Sequence, residues 1–180
     1  MHPHPLKPAR LLPPFPSLYG LLAAALFLSA CAGPEPYRYH YIPGRTAVLQ
    51  GGMAIPPPNA PDAVLLAIAA GNRIAGSPYA YGAGHGDGID TAFDCSGAAS
   101  FVLGTAGRLS HPIPSQAFRR YGDDGSGQWI SIYARPDHVF LVVAGLRFDT
   151  GWTGTEHGGP RWTTRDRPTD GAVVRHPPGL

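Results

Sequence analysis

The chain carries two cysteines, Cys31 and Cys95. Cys95 stands in Phe93-Asp94-Cys95-Ser96-Gly97, just ahead of the apolar run Ala98, Ala99, Phe101, Val102 and Leu103. That pattern predicts a helix opening at Cys95. The start of a helix carries about half a positive charge, which favours a thiolate, the reactive form of the side chain. The N–H groups of the same turn can hold an oxyanion. A nucleophilic thiol needs a base, and the sequence has eight histidines. His2 and His4 fall in a leader, His40 in a proline-rich stretch, and His111 and His176 each precede a proline. His85 and His157 lie among glycines. Only His138 opens a rigid element, the apolar strand Val139–Val143, and a catalytic pair needs fixed geometry. A third residue should orient the imidazole. Asp149 follows across a turn at Ala144-Gly145, where a two-residue loop puts residues 138 and 149 on one face as diagonal neighbours. A three-residue loop would turn Asp149 to the other face. His157 competes for the same role.

The elements that must hold these residues follow from periodicity. Pro61-Asp62 starts a helix, with Val64, Leu65, Ile68 and Ile74 on its apolar face and Gly76-Ser77-Pro78 at its end. Residues 82–88 form a glycine-rich loop. The second helix covers 95–103. Strands are expected over 128–134, 139–143 and 146–149, with a last short strand from Val173. Helices first and antiparallel strands after is an α+β arrangement.

The 180 residues include 24 glycines and 21 prolines, but thirteen of the prolines lie within residues 1–61. Lys7 and Arg10 precede an uncharged apolar stretch, Leu18 to Ala30, too short for a membrane span. Leu28-Ser29-Ala30-Cys31 resembles the lipobox of bacterial lipoproteins, which implies cleavage before Cys31 and acylation of its sulfur. The expected organisation is a signal peptide over 1–30, a proline-rich tether over 31–60 docked on the domain, and a domain over 61–180. Without Lys7 and Arg10 the chain has twelve basic and twelve acidic residues, a balance that excludes simple electrostatic capture of nucleic acid. Arg161, Arg165 and Arg167 read as a solvated edge, with carboxylate binding as the other possibility. Gly84-His85-Gly86-Asp87-Gly88 lacks the spacing of a calcium loop, and no metal is expected.

Pro78-Tyr79-Ala80-Tyr81-Gly82, Asp94-Cys95-Ser96-Gly97 and His138-Val139 before an apolar strand together resemble the NlpC-type cell-wall cysteine peptidases. The resemblance covers about residues 61 to 150. It implies a papain-like α+β domain, with N-terminal helices packed on an antiparallel sheet, that cuts peptidoglycan stem peptides at γ-D-glutamyl–diamino acid bonds without a cofactor. By position, Cys95 would be the nucleophile and His138 the base. Tyr79 would offer its hydroxyl near the thiolate and oxyanion. Asp94 and Ser96 would line the site for the free amine of a trimmed stem peptide. The sequence departs from the family at Gly82-Ala83-Gly84, which replaces a double glycine. It also inserts residues 85–91, and it has Asp149 where His, Asn or Gln is usual. Together with the lipobox, the resemblance implies a protein of the cell envelope, anchored by lipid in the outer membrane and facing the periplasm. The alternatives are an amidase or acyltransferase on the same fold, or an inactive envelope lipoprotein that binds cell wall or a partner.

Overall fold

Pro61 and Asp62 open the first helix as expected. α1 spans Asp62–Ile74, and its buried stripe is Val64, Ala67, Ile68, Gly71 and Ile74, the three- and four-residue spacing of a single helical face. Leu65, expected on that face, is exposed together with Leu66, because position 65 falls one residue off the stripe. The structure, a computed structural model of the chain, describes residues 33–86, 90–151 and 157–180. The leader and Cys31 lie outside the described residues. No helix among those described is long and apolar enough to cross a membrane.

The second helix, α2, spans Cys95–Thr105. Asp94 caps it: its carboxylate accepts from the Gly97 N–H at 2.7 Å, satisfying one donor that a helix start leaves free. Gly107, at a φ of 67°, ends it. The Arg108 N–H returns to the Leu103 carbonyl at 2.8 Å, and the Gly107 N–H to Gly104 at 2.9 Å, a left-handed stop that glycine adopts without strain. α3, Ser115–Phe118, is a single turn that buries Phe118.

The strands are β1 (Val48–Gln50), β2 (Met53–Ile55), β3 (Asp123–Asp124), β4 (Ile130–Ala134), β5 (Val139–Val143), β6 (Leu146–Gly151), β7 (His157–Thr163) and β8 (Val173–His176). β1 and β2 pair as a small hairpin. The other six form one sheet in the order β3-β8-β4-β5-β6-β7, antiparallel at every pairing. The fold is α+β, with helices preceding an antiparallel sheet.

Leu141, Phe148 and Trp162 are cross-strand partners and share one face. All three are buried, with Val64, Ile68, Val102 and Leu103 of the two helices in the same core. Each such side chain contributes about 1.5–3 kcal/mol through burial. α1 comes so close that a Cβ on Gly71 would strike the Trp162 ring.

Residues 33–60 are more than a tether laid on the surface. The compact unit runs from Gly33 to Leu180, and Ala47 and Ala54 belong to its core. Tyr37 pairs antiparallel with Arg167, Ala47 donates to the Ala144 carbonyl at 2.8 Å, and Asn72 of α1 bonds both backbone groups of Ala54. Alternating tyrosines and prolines read as a linker in the sequence because their partners lie far along the chain.

Candidate active site

Three elements bring the candidate residues together. α2 presents Cys95 at its first position, β5 follows directly from His138, and β6 carries Asp149. The β5–β6 turn has two residues, since Val143 pairs with Leu146. Ala144 and Gly145 both have positive φ, 46° and 75°, the hairpin geometry that matches strand twist. That loop length places Asp149 on the His138 side.

His138 Nε2 lies 2.8 Å from Asp149 Oδ1. The Cys95 side chain lies close enough to the same ring to favour its charged form. Cys95 is reduced and partly exposed, whereas His138 and Asp149 are buried. Burial, the largest single influence on His138, disfavours its charged form. The hydrogen bonds and charges of Asp149 and Cys95 together outweigh it, and the pKa is pushed up to about 9. The site therefore favours an imidazolium between two acidic partners, the arrangement that activates a thiol.

Gly151 matters for the ring. A Cβ there would lie 3.3 Å from His138 Cε1, tighter than ordinary contact, so the absence of a side chain leaves the imidazole its place. The pairing of β6 with β7 shifts register between Asp149 and Gly151, an irregularity of the kind that re-aims side chains beside active sites. The Gly151 N–H donates to Asp149 Oδ1 at 2.9 Å.

Asp94 and Ser96 lie at the same helix start, both buried. Besides the Gly97 amide, Asp94 Oδ1 accepts from Ser96 Oγ at 3.0 Å and meets His85 Nε2 at 3.2 Å, while Oδ2 accepts from the Gly82 N–H at 3.0 Å. Ser96 Oγ also lies 3.2 Å from His85 Nε2. Asp94 thus fastens the glycine-rich loop to the helix. Gly97 lets the two meet, since a Cβ there would strike the Ala83 carbonyl. Tyr79 is half-buried in a short bridge to Phe93. Burial first, then the charges of Cys95, Asp94 and Tyr81, raise its phenol above the ordinary tyrosine value.

Several residues of the site were not foreseen from the sequence. The glycines around His85 suggest a loop histidine, yet it joins Asp94 and Ser96. Arg147 and Arg167 both reach Asp149 Oδ2, Arg147 Nη1 at 2.7 Å and Arg167 Nε at 3.7 Å. The sequence suggests a solvated edge for Arg167. Its side chain is only 14% exposed and it pairs with Tyr37 instead. Arg147 alternates with the apolar Leu146 and Phe148, the pattern of a solvent-facing strand position, so the sequence carries no signal of its burial. His157 opens β7 rather than lying in a loop, and its side chain is not among those described. Among the described residues, no three His, Cys, Asp or Glu side chains gather as a metal site.

No family model matches the chain, and no curated protein matches it.

Proposed function

We propose that this protein is a cysteine hydrolase of peptidoglycan stem peptides, built on a papain-like domain of the NlpC type. One observation carries the reading: the His138 imidazole is bonded to a buried carboxylate and lies within the electrostatic reach of the only described thiol. That array has a clear use in acyl transfer. The order of elements supports it, with a cysteine at a helix start, a histidine at the head of a strand and an acid on the next strand.

The steps follow from the geometry. The Cys95 sulfur adds to the scissile carbonyl carbon, forming a C–S bond. The oxyanion is received by first-turn N–H groups of α2, with the Tyr79 hydroxyl nearby. His138 gives its proton to the leaving nitrogen as the C–N bond breaks, leaving a thioester on Cys95. The neutral imidazole then takes a proton from water, whose oxygen attacks the thioester carbon. The acid departs, and the sulfur and His138 return to their paired state. Asp149 holds the ring in place and steadies the imidazolium.

The carbonyl in question belongs to a stem peptide through the Tyr79, Asp94-Cys95-Ser96-Gly97 and His138 pattern, with a γ-D-glutamyl–diamino acid bond as the target. The amine of a trimmed peptide would approach Asp94 and Ser96, where His85 now sits. Acylated Cys31 would hold the domain at the outer membrane. The test is digestion of purified muropeptides with mass analysis of the products. The proposal expects one new amine and one new carboxyl terminus with the wild type and none with Cys95→Ala. Identical product patterns for the two proteins would refute it.

A further inference from the structure

Asp149 is held by more than His138. Its Oδ2 accepts from Arg147 Nη1 at 2.7 Å, and Arg147 is fully buried. Nε and Nη2 of that guanidinium have no hydrogen-bond partner among the described residues. Such a cation works against folding. Removal from water disfavours its charge, and an apolar side chain of similar volume packs at lower cost. What the guanidinium does grip is the carboxylate facing His138.

Tyr37 completes the arrangement from the N-terminal segment. Its hydroxyl donates to the Gly145 carbonyl at 3.0 Å and accepts from the Arg147 N–H at 3.1 Å. Its ring centre lies 5.8 Å from the Arg147 guanidinium, as does that of Phe140. Its backbone bonds Arg167 in both directions, at 2.9 and 3.0 Å. One residue therefore braces both arginines that reach Asp149.

We infer that Arg147 is a positioning residue of the active site, aiming Asp149 Oδ1 at His138 by holding Oδ2, and that Tyr37 is the brace that keeps Arg147 in place. The inference rests on the hydrolase reading and deepens it. A carboxylate tied at Oδ1 by the Gly151 N–H and at Oδ2 by Arg147 cannot swing about its own axis, so the His138 ring meets a fixed acceptor. The charges around His138 are Cys95 from α2 and Asp149 from β6, with Arg147 and Arg167 behind the carboxylate. Arg135 and Tyr133 line the adjoining cleft. The two arginines draw on the same carboxylate and so temper how strongly it favours the imidazolium.

Two substitutions separate holding from charge. Arg147→Gln keeps an N–H donor and removes the charge, whereas Arg147→Met removes both. In the full-length chain, Arg147→Met should lower kcat on a stem peptide by roughly 10- to 100-fold with KM within about threefold, because transition-state geometry is lost and binding is not. Arg147→Gln should move the His138 titration, followed by NMR in a Cys95→Ala background, upward by ~0.5 pH unit or more, because a cation near its carboxylate is gone. Tyr37→Phe, which keeps the ring and drops the hydroxyl, should show part of the kcat loss. Arg147→Met turnover within threefold of wild type, or a His138 titration unmoved by Arg147→Gln, overturns the role of Arg147. Unchanged turnover in Tyr37→Phe overturns the brace. If Arg147→Met does not fold, the Arg147→Gln titration decides. If the wild type hydrolyses no stem peptide, the hydrolase reading fails, and the titration still decides whether Arg147 acts on His138.

Discussion

His138, at the head of β5, and Asp149, on the neighbouring β6, meet at an Nε2–Oδ1 distance of 2.8 Å. Their meeting depends on the two-residue turn at Ala144-Gly145. Because side chains alternate along a strand, one residue more in that loop would send Asp149 to the opposite face. The turn in its turn depends on backbone with positive φ at both residues, which glycine supplies freely and Ala144 accepts at some strain.

Asp149→Ala should cost roughly 10²- to 10⁴-fold in kcat, the scale of losing a residue that orients a catalytic imidazole. His157→Ala should cost under about tenfold on the same reasoning. Steady-state kinetics on one stem-peptide substrate compares the two directly. The larger loss in His157→Ala would transfer the third role to His157.

The pKa of about 9 at His138 has a consequence for stability. An unfolded histidine titrates near 6.5, so the folded site binds its proton more tightly. The stabilisation is fully present below about pH 6.5 and is lost as pH rises through about 9. Its size is on the order of 3 kcal/mol. Urea unfolding from pH 6 to 10 should show wild-type stability falling toward the alkaline end, and His138→Gln should lack that component of the fall. Parallel curves for the two proteins would contradict the paired imidazolium.

Gly151→Ala tests how tightly the ring is seated. The added methyl would sit 3.3 Å from His138 Cε1, so the imidazole must shift by a few tenths of an ångström. Turnover should fall by about tenfold, because small misplacements at a catalytic pair are expensive in rate. A thermal melt should move little. Normal kinetics in this variant would mean that the ring has room the structure does not show.

His85 competes for Asp94 Oδ1 with any amine that approaches the helix start. His85→Ala should lower KM for peptides with a free amino terminus by a few fold and leave kcat nearly unchanged, since the lost contact opposes binding rather than chemistry. Peptides with a blocked amino terminus should not discriminate between the two proteins. A kcat collapse in His85→Ala would instead show that the loop holds Cys95 itself.

The parts of the molecule that were readable in the sequence are the local ones. Asp94 before Cys95 announces a capped helix, and α2 begins there. Val139–Val143 and the Ala144-Gly145 turn announce a hairpin, and it forms with the required loop. What could not be read depends on long-range partners. Tyr37 lies 110 residues from the Arg147 amide it receives, so residues 33–60 look like linker until the sheet face they cover is known. The pattern of β7 is broken by Gly158, Gly159 and Pro160, so a strand over 157–163 has no periodicity to show. Arg147 alternates as an exposed residue should, and only the segment packed over it reverses its environment. His85 sits among glycines whose conformational freedom hides any fixed contact. The Cys95, His138 and Asp149 set was legible because each residue sits on or beside a regular element. The arginines behind Asp149 were not, because folding a distant segment buries them.

In the proposed reaction Cys95 attacks a carbonyl and becomes acylated. The direct measurement is intact mass of the full-length protein, acid-quenched during turnover of a stem peptide. The spectrum should show an added mass equal to the acyl half of the substrate, localised to Cys95, released by hydroxylamine and absent in Cys95→Ala. Hydrolysis proceeding at the wild-type rate in Cys95→Ala, or an adduct mapping to another residue, would contradict it.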